Sequence, residues 1–148
     1  MGVVAPNVDL KLFGPTSFYG PRIETQINQM LLELTQFPTS RRAVLLVAHY
    51  DDTPETLPCT LSIAFYYEGH TNLLNCTVNM RSSDAVWGLP YDMIQFGILH
   101  KAVANCLYAD LGSVTINIMN AHVYMDHDGG KIWEEQQFDI PTFRSWKE

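Results

Sequence analysis

The sequence predicts an α+β domain in which a largely antiparallel sheet carries two main helices on one face. Two segments place apolar residues at helical spacing, and several short segments alternate apolar with polar residues, as strands with one buried face do. Two of the alternating segments are separated by a short polar turn, which predicts an antiparallel hairpin. The 148 residues suffice for one such domain with a real core.

The two predicted helices are bounded by residues that begin or end helices. Pro21 suits a first turn, because the N–H that proline lacks has no helical partner there, and Pro38 ends the first helix. The second helix runs from Asp92 to Leu111, and Gly112 closes it in the position that favours a left-handed backbone. The residues predicted to face the core are Ile23, Ile27, Met30, Leu31, Leu34, Met93, Phe96, Leu99, Val103 and Leu107.

The predicted strands lie between and after these helices. The run 43–48 (AVLLVA) is short, apolar and bounded by polar residues, which indicates a buried strand. Residues 60–67 and 74–80 alternate on either side of the turn 68–72 (EGHTN), and they form the hairpin. A further strand is predicted over 114–124.

The composition is that of an ordinary globular protein, with 47% apolar and 17% charged residues. The net charge of −7 disfavours attraction to nucleic acid or to an anionic membrane, and no apolar run reaches the roughly 20 residues that cross a bilayer. The first residues lack a basic start and an apolar signal core, so a cytoplasmic protein is expected. Cys59, Cys76 and Cys106 are too widely spaced for a zinc knuckle or a redox pair, and free thiols are predicted.

The connection 81–92 (RSSDAVWGLPYD) is the most informative stretch, because it follows a strand, contains a turn and opens a helix. It carries an arginine, two serines and two carboxylates. Arg81 can bind a phosphate with paired donors, and Ser82 can add another donor. A solvated loop with an aspartate cap on the helix explains the same residues equally well.

This connection closely resembles the thymidylate synthase signature around its phosphate-binding Arg-Ser pair and its GLPFN segment. Four further segments resemble the family in the same order, and together the matches cover roughly Gly14 to His127. They are GPTSFYG with Tyr19, PTSRR with Arg41 and Arg42, LPC ending at Cys59, and HVYMDH with His122 and Tyr124.

The resemblance implies a role for each of these residues in a pyrimidine nucleoside monophosphate site. Cys59 would be the nucleophile, with Tyr19 and Asp84 as further catalytic residues. The resemblance also implies a homodimer and methylenetetrahydrofolate as the one-carbon donor. The implied nucleotide-binding residues are Arg41 and Arg42 from the partner subunit, Arg81 and Ser82 at the phosphate, Asp92 at the base, and His122 and Tyr124 at the sugar.

A cysteine suits the chemistry that the resemblance implies. Carbon C5 of a pyrimidine is a poor nucleophile until a thiolate adds at C6, and a thiolate both attacks and leaves readily. A neighbouring Arg81 favours the thiolate form of Cys59. A small buried side chain at the start of a strand remains the alternative explanation for this cysteine.

Asp92 suggests which base is bound. Thymidylate synthases usually end the GLPFN segment with asparagine, whereas the CMP and dCMP hydroxymethylases resemble this chain in having aspartate. A carboxylate accepts from the cytosine amino group, can share a proton with N3 and repels the uracil O4, so a cytosine nucleotide is expected. A helix N-cap is the alternative role for Asp92.

Several departures from the family keep other functions open. The chain resembles a family member shortened at both ends, with Thr60 in place of the usual histidine. A non-catalytic, phage-type dimer that binds a nucleotide or a partner is therefore the second hypothesis, and a separate chain could supply the missing part. A zinc site at His49, Asp51 and Asp52, similar to that of the N-acetylglucosamine deacetylases, is disfavoured because an HxxH ligand pair is missing, and no metal site is predicted.

Overall fold

A computed structural model of the chain describes residues 19–125. His127 and the predicted loop before Tyr19 lie outside this range. Along the chain the elements are α1 (Tyr19–Gln36), β1 (Val44–Leu46), β2 (Thr60–Glu68), β3 (Leu73–Met80), β4 (Ser83–Asp84), α2 (Gly88–Leu107), β5 (Asp110–Ile118) and β6 (Ala121–His122). This order of elements confirms the predicted α+β class.

Four of the strands form one sheet in the order β1-β2-β3-β5. Strands β1, β2 and β3 are antiparallel neighbours, and β2 and β3 form the predicted hairpin. Strand β5 lies parallel to β3, because α2 carries the chain back before β5 begins. A separate two-stranded parallel sheet joins β4 to β6.

The hydrophobic core lies between the two helices and one face of this sheet. All five predicted core residues of α1 are buried. In α2, Phe96, Leu99 and Val103 are buried and Leu107 packs against the core, but Met93 is exposed, so its predicted inward position is wrong. The sheet contributes Leu45, Ile63, Phe65, Leu74, Cys76, Val78 and Met80 to the same core.

The first strand differs from its prediction. Strand β1 has only three residues and lies at the edge of the sheet, beside β2. Leu45 is buried, whereas Val44 and Leu46 are exposed on the opposite face. A continuous apolar run predicts a strand buried on both faces, but both helices cover the same face, so the other side of β1 is open.

The boundaries predicted for the second helix are displaced by four residues. Helix α2 begins at Gly88 and ends at Leu107, where Tyr108 takes the left-handed conformation and caps the helix. Gly112, which was predicted to close the helix, lies in β5. A side chain at Gly112 would place its Cβ 2.6 Å from the carbonyl oxygen of Leu74, so glycine is required there by close strand packing.

The last predicted strand is divided in two. Strand β5 ends at Ile118, and the chain then turns and forms β6, which pairs with β4. This pairing places His122 opposite Asp84. Within residues 19–125, no helix combines the length and apolar character that crossing a membrane requires.

Candidate active site

The hairpin brings Cys59 next to the connection that follows β3. Thr60 pairs with Met80 at the end of the hairpin, and the Arg81 amide donates to the Cys59 carbonyl at 2.8 Å. Ser82 then lies beside the thiol, with its hydroxyl 3.8 Å from Cys59 Sγ. The antiparallel register therefore assembles a thiol, an arginine and a hydroxyl from two segments.

The Arg81 guanidinium is held in place by three hydrogen bonds. Its Nε donates to the Pro58 carbonyl at 3.2 Å, and one terminal nitrogen donates to the Leu57 carbonyl at 3.1 Å. The other terminal nitrogen donates to Ser82 Oγ at 3.1 Å. Since a guanidinium has five N–H donors, two of them remain for an anionic ligand.

Asp92 is a buried carboxylate on the first turns of α2. The Ser83 hydroxyl donates to one of its oxygens at 3.2 Å, and the Gln95 amide donates to the other at 2.7 Å. Burial raises the pKa of Asp92, and these two hydrogen bonds partly oppose the increase. The N-cap of α2 is Trp87, so the alternative in which Asp92 caps the helix is wrong.

Tyr19 lies at the start of α1 with its ring stacked on Phe96 at a centroid distance of 6.3 Å. Burial raises the pKa of the Tyr19 hydroxyl, Asp92 and Cys59 add to the increase, and Thr60 opposes it. Thr60 Oγ1 is buried and lies near the Tyr19 hydroxyl without completing a hydrogen bond to it or to any other atom of residues 19–125. The Tyr19 hydroxyl therefore lies within the electrostatic range of both the thiol and the carboxylate.

Asp84 orders the turn that leads into α2. Its two carboxylate oxygens accept from the amides of Val86 at 3.2 Å and Trp87 at 3.0 Å. Strand pairing sets His122 beside Asp84, and the His122 ring meets Tyr124 edge-on at 4.9 Å. The small β4–β6 sheet thus brings the histidine and the tyrosine from a distant segment to the end of the Cys59 site.

Arg41 and Arg42 lie elsewhere in the chain. They precede β1, where Val44 pairs with Ala64, five residues from Cys59 along the strand. At about 3.3 Å per residue this separation is roughly 17 Å. Arg42 bonds to Glu33 at 2.8 Å, so the structure does not bring either arginine to Cys59 within one subunit.

Three polar residues in and around the site were not predicted from the sequence. Ser83 and Gln95 hold Asp92, and the i, i+3 spacing of Asp92 and Gln95 on a helix is the signal that could have indicated their contact. Arg22 donates to the two oxygens of Asp52 at 2.8 and 2.7 Å and to the Val47 carbonyl at 2.9 Å. No local pattern links Arg22 with a residue 30 positions away.

The Arg22–Asp52 ion pair also gives a structural role to the acidic segment that resembles a zinc motif. Asp52 accepts from Arg22 and from the His49 amide, and these bonds lower its pKa from 3.8 to about 2. The carboxylate fixes the segment before Cys59 onto α1. Within residues 19–125, no group of three or more potential ligand side chains is arranged to hold a metal ion.

The other two cysteines are not part of this site. All three thiols are free, as predicted. Cys76 is buried in the core, and burial raises its pKa to about 12. Burial also raises the pKa of Cys106, which packs against the core from α2. Both thiols are therefore held in the unreactive protonated form.

Comparison with known proteins identifies the family. The family model described as Thymidylate synthase matches residues 19–141. Thymidylate synthases of Bacillus phage phi3T and Bacillus atrophaeus are each 30% identical over 129 residues, which is 84% of this chain and 45% and 56% of those proteins. The structure of thermostable thymidylate synthase A from Bacillus subtilis is similar with a TM-score of 0.64 and 29% identity, over 74% of this chain and 40% of that one.

The chain spans about half the length of the curated relatives that it matches. The match covers the whole of the described range, including both strand ends that meet at Cys59 and the helix that carries Asp92. The resemblance of the five sequence segments is thereby confirmed at the level of the family. This chain belongs to the thymidylate synthase family.

Proposed function

We propose that the chain binds a cytosine nucleoside monophosphate and transfers a one-carbon unit to C5 of the base, giving a hydroxymethyl product. The observation that carries this proposal is the contact of Cys59, Ser82 and Arg81 at the strand ends. This contact places the Cys59 thiol beside Ser82, and Ser82 directly follows Arg81, whose guanidinium can bind an anion. A thiol and a guanidinium so placed suit a ligand that joins an electrophilic ring to a phosphate.

The phosphate is assigned to Arg81 and Ser82. The carbonyls of Leu57 and Pro58 hold the guanidinium rigidly, so little side-chain entropy is lost when an anion binds. The two remaining N–H donors of Arg81 can bind two phosphate oxygens. The sugar is assigned to His122 and Tyr124, which reach the same end of the site through the β4–β6 pairing.

The base edge is assigned to Asp92. Its two oxygens have about four lone-pair positions, and Ser83 and Gln95 occupy two of them. The remaining positions can accept from the cytosine amino group and share a proton with N3. Its raised pKa supports proton sharing, because a carboxylate in a buried setting holds a proton more readily than one in water. Uracil presents an oxygen instead of the amino group, and a carboxylate repels it.

In the proposed reaction Cys59 Sγ bonds to C6 of the base, and the electron pair of the C5–C6 double bond becomes available at C5. Methylenetetrahydrofolate is the co-substrate that supplies the carbon and leaves as tetrahydrofolate. C5 bonds to the carbon that the folate supplies. Loss of the C5 proton then expels tetrahydrofolate from that carbon, water adds to the same carbon to give the hydroxymethyl group, and Sγ leaves C6 as the C5–C6 double bond re-forms. The Tyr19 hydroxyl lies in the electrostatic range of Cys59 and Asp92. We assign to it the positioning, near C5, of the group that accepts the C5 proton.

The described residues offer one feature that fits a folate ring. The exposed indole of Trp87 lies directly after the turn that Asp84 orders, at the rim of the site. A flat conjugated ring can stack on an exposed indole. Trp87 and Asp84 would therefore hold the pteridine end of the co-substrate.

We also propose that the chain acts as a homodimer. The sheet face opposite the helices exposes Val44, Leu46 and Tyr66. A second copy packed on this face would cover these side chains and would carry Arg41 and Arg42, which adjoin β1, toward the partner's site. Such an arrangement explains why the two arginines lie far from Cys59 of their own subunit.

The test is release of tritium from C5-labelled dCMP, CMP and dUMP, measured with and without methylenetetrahydrofolate. We expect release from a cytosine nucleotide and a hydroxymethyl product when the folate is present. Release from dUMP alone would contradict the cytosine assignment. No release from any of the three nucleotides by the folded protein would exclude catalysis and would leave a nucleotide-binding or partner-binding scaffold.

A further inference from the structure

Asp92 is a buried carboxylate that is compensated by hydrogen bonds and not by an ion pair. Its residue is 9% exposed, and within residues 19–125 both ion pairs join other residues. A buried carboxylate without compensation takes up a proton, because burial disfavours the charged form. The ionised form of Asp92 therefore depends on Ser83 and Gln95, which donate to its two oxygens.

The two donors differ in what they can do with a protonated carboxyl group. The Ser83 hydroxyl, 3.2 Å from one oxygen of Asp92, can donate to a carboxylate and can also rotate to accept from a carboxylic acid. The Gln95 amide nitrogen, 2.7 Å from the other oxygen, can only donate. The Gln95 bond is also the shorter of the two, as a charge-assisted bond is. Gln95 therefore favours the ionised form of Asp92 specifically.

Helical geometry holds Gln95 beside Asp92. The two residues are at i and i+3 on α2, which sets their side chains on the same side of the helix. Gln95 is half-buried, and Phe96, the next residue, is buried in the core and fixes this turn of the helix. The bond from Gln95 therefore forms within one rigid element, whereas Ser83 reaches Asp92 from β4.

Within residues 19–125, the groups around α2 supply no cation that bonds to Asp92. The elements that pack against α2 are α1, β3, β4 and β5. From α1, the Tyr19 hydroxyl lies within electrostatic range of Asp92, and burial raises its pKa, so it is neutral. The titratable residues of β3, β4 and β5 are Cys76, Asp84 and Asp110. Arg81 and His100 bond to backbone carbonyls instead. The charge of Asp92 is therefore set by its burial and by its two hydrogen bonds.

The charge of Asp92 decides which base edge it can pair with. A carboxylate only accepts hydrogen bonds, whereas a carboxylic acid also donates one. Cytosine pairs with either form, because its amino group donates and its N3 can share the proton. Uracil presents the O4 oxygen, which needs a donor, so it pairs only with the protonated form.

We propose that Gln95 determines the base preference of the site by keeping Asp92 a hydrogen-bond acceptor. Gln95 is a positioning residue in this role, because it acts through Asp92 and not on the base. The proposal rests on the proposed function, in which Asp92 binds the base edge. It adds that the preference for cytosine needs two residues of α2 and not Asp92 alone.

The first test measures the pKa of Asp92 in the ligand-free protein, by carboxyl-carbon NMR as the pH is changed. Gln95→Met removes the donor, and methionine is close to glutamine in length and in helix propensity. We expect a higher pKa of Asp92 in Gln95→Met than in the wild type. Gln29→Met, at an exposed position of α1, is the control and should leave the pKa unchanged. An unchanged pKa in Gln95→Met would overturn the proposal.

The second test measures the binding of dCMP and dUMP to the wild type and to Gln95→Met by calorimetry at neutral pH. We expect Gln95→Met to bind dUMP about tenfold more tightly and to change dCMP binding by less than about threefold. A loss of packing at position 95 would weaken the binding of both nucleotides, so tighter binding of dUMP is not a structural side effect. Weaker binding of both would overturn the proposal.

The double variant Asp92→Asn/Gln95→Met tests whether Gln95 acts through Asp92. Because asparagine does not ionise, Gln95→Met should not tighten dUMP binding further in the Asp92→Asn background. A further gain of the same size would overturn the proposal.

Failure of the proposed function gives a different pattern from failure of the role of Gln95. If the wild type binds neither nucleotide although Gln95→Met raises the pKa of Asp92, the proposed function is wrong and the role of Gln95 at the base is wrong with it. If the wild type prefers dCMP and Gln95→Met changes neither the pKa nor the preference, only the role of Gln95 is wrong.

Discussion

The hydroxyl of Ser82 lies 3.8 Å from Cys59 Sγ, although 23 positions separate the two residues in the sequence. The same hydroxyl accepts a hydrogen bond from Arg81, so a single serine links the Cys59 thiol to the cationic group. This link depends on the register of the β2–β3 hairpin, in which Thr60 pairs with Met80. The phosphate and the reactive carbon of one ligand can therefore be bound by adjacent residues.

Arg81→Ala is predicted to weaken the binding of dCMP by about ten- to a hundredfold, because charge-assisted hydrogen bonds to the phosphate are lost. Binding of deoxycytidine, which has no phosphate, serves as the control. Calorimetric titration of both ligands measures the difference. An equal loss for nucleotide and nucleoside would show that Arg81 only holds the carbonyls of Leu57 and Pro58, and the phosphate assignment would be wrong.

Asp92→Asn is predicted to shift the base preference from cytosine toward uracil by about a hundredfold, since an amide can donate to the uracil O4. The ratio of tritium release from dUMP to release from dCMP measures this preference. Asp110→Asn is the matched control, because it makes the same chemical change at a carboxylate outside the site that accepts from the Asn72 amide. A ratio that moves equally in both variants would refute the role of Asp92 at the base.

The sequence predicted the elements that have a clear periodicity and misplaced those set by tertiary contacts. The α1 core face and the hairpin were predicted because spacing alone determines them. The end of α2 was misplaced because Tyr108 adopts the left-handed conformation that Gly112 was expected to adopt. The role of Gly112 arises from its approach to Leu74, a contact that no local pattern indicates.

The two arginines before β1 give a prediction about subunits. A variant with Arg41→Ala and Arg42→Ala, mixed in equal amounts with Cys59→Ser, is predicted to recover about a quarter of wild-type tritium release. Half of the dimers are then mixed, and each mixed dimer has one site with both an intact cysteine and intact partner arginines. Each variant alone should be inactive. Failure of the mixture to recover activity after subunit exchange would contradict the crossing of the arginines.

The Arg22–Asp52 pair predicts a pH dependence of stability. Because the folded-state pKa of Asp52 is about 2 and its ordinary value is 3.8, its contribution is complete above about pH 4 and is lost as the pH falls toward 2. Asp52→Asn should therefore lower the free energy of unfolding at neutral pH and flatten its dependence between pH 4 and pH 2. Urea unfolding over this range measures both effects.

Asp51→Asn is the control for this pair, since Asp51 is an exposed neighbour and Arg22 hydrogen-bonds to Asp52 instead. The same flattening in Asp51→Asn would show that the effect comes from the general charge of the segment. The pair itself was not predicted, although both residues were visible in the sequence. Long-range ion pairs depend on how α1 packs against the segment before Cys59.

The five matched segments name Cys59, Arg81 and Asp92 as site candidates, and these assignments stay predictions. The register of β2 and β3 brings Cys59 and Arg81 together, as the signature suggests. The contact of Ser83 with Asp92 is visible only once β4 and α2 are packed, whereas the contact of Gln95 with Asp92 follows from helical spacing. The position of Arg41 and Arg42 relative to Cys59 is likewise a property of the sheet register.

The proposed function requires that Cys59 activates C5 of a bound cytosine nucleotide. Tritium release from C5-labelled dCMP by the wild-type protein and by Cys59→Ser tests this requirement, with dCMP binding to both measured by calorimetry. We expect Cys59→Ser to bind dCMP but to release tritium only at the uncatalysed rate. Undiminished release by Cys59→Ser would contradict the proposed role of Cys59, because the reaction would then proceed without a thiolate at C6.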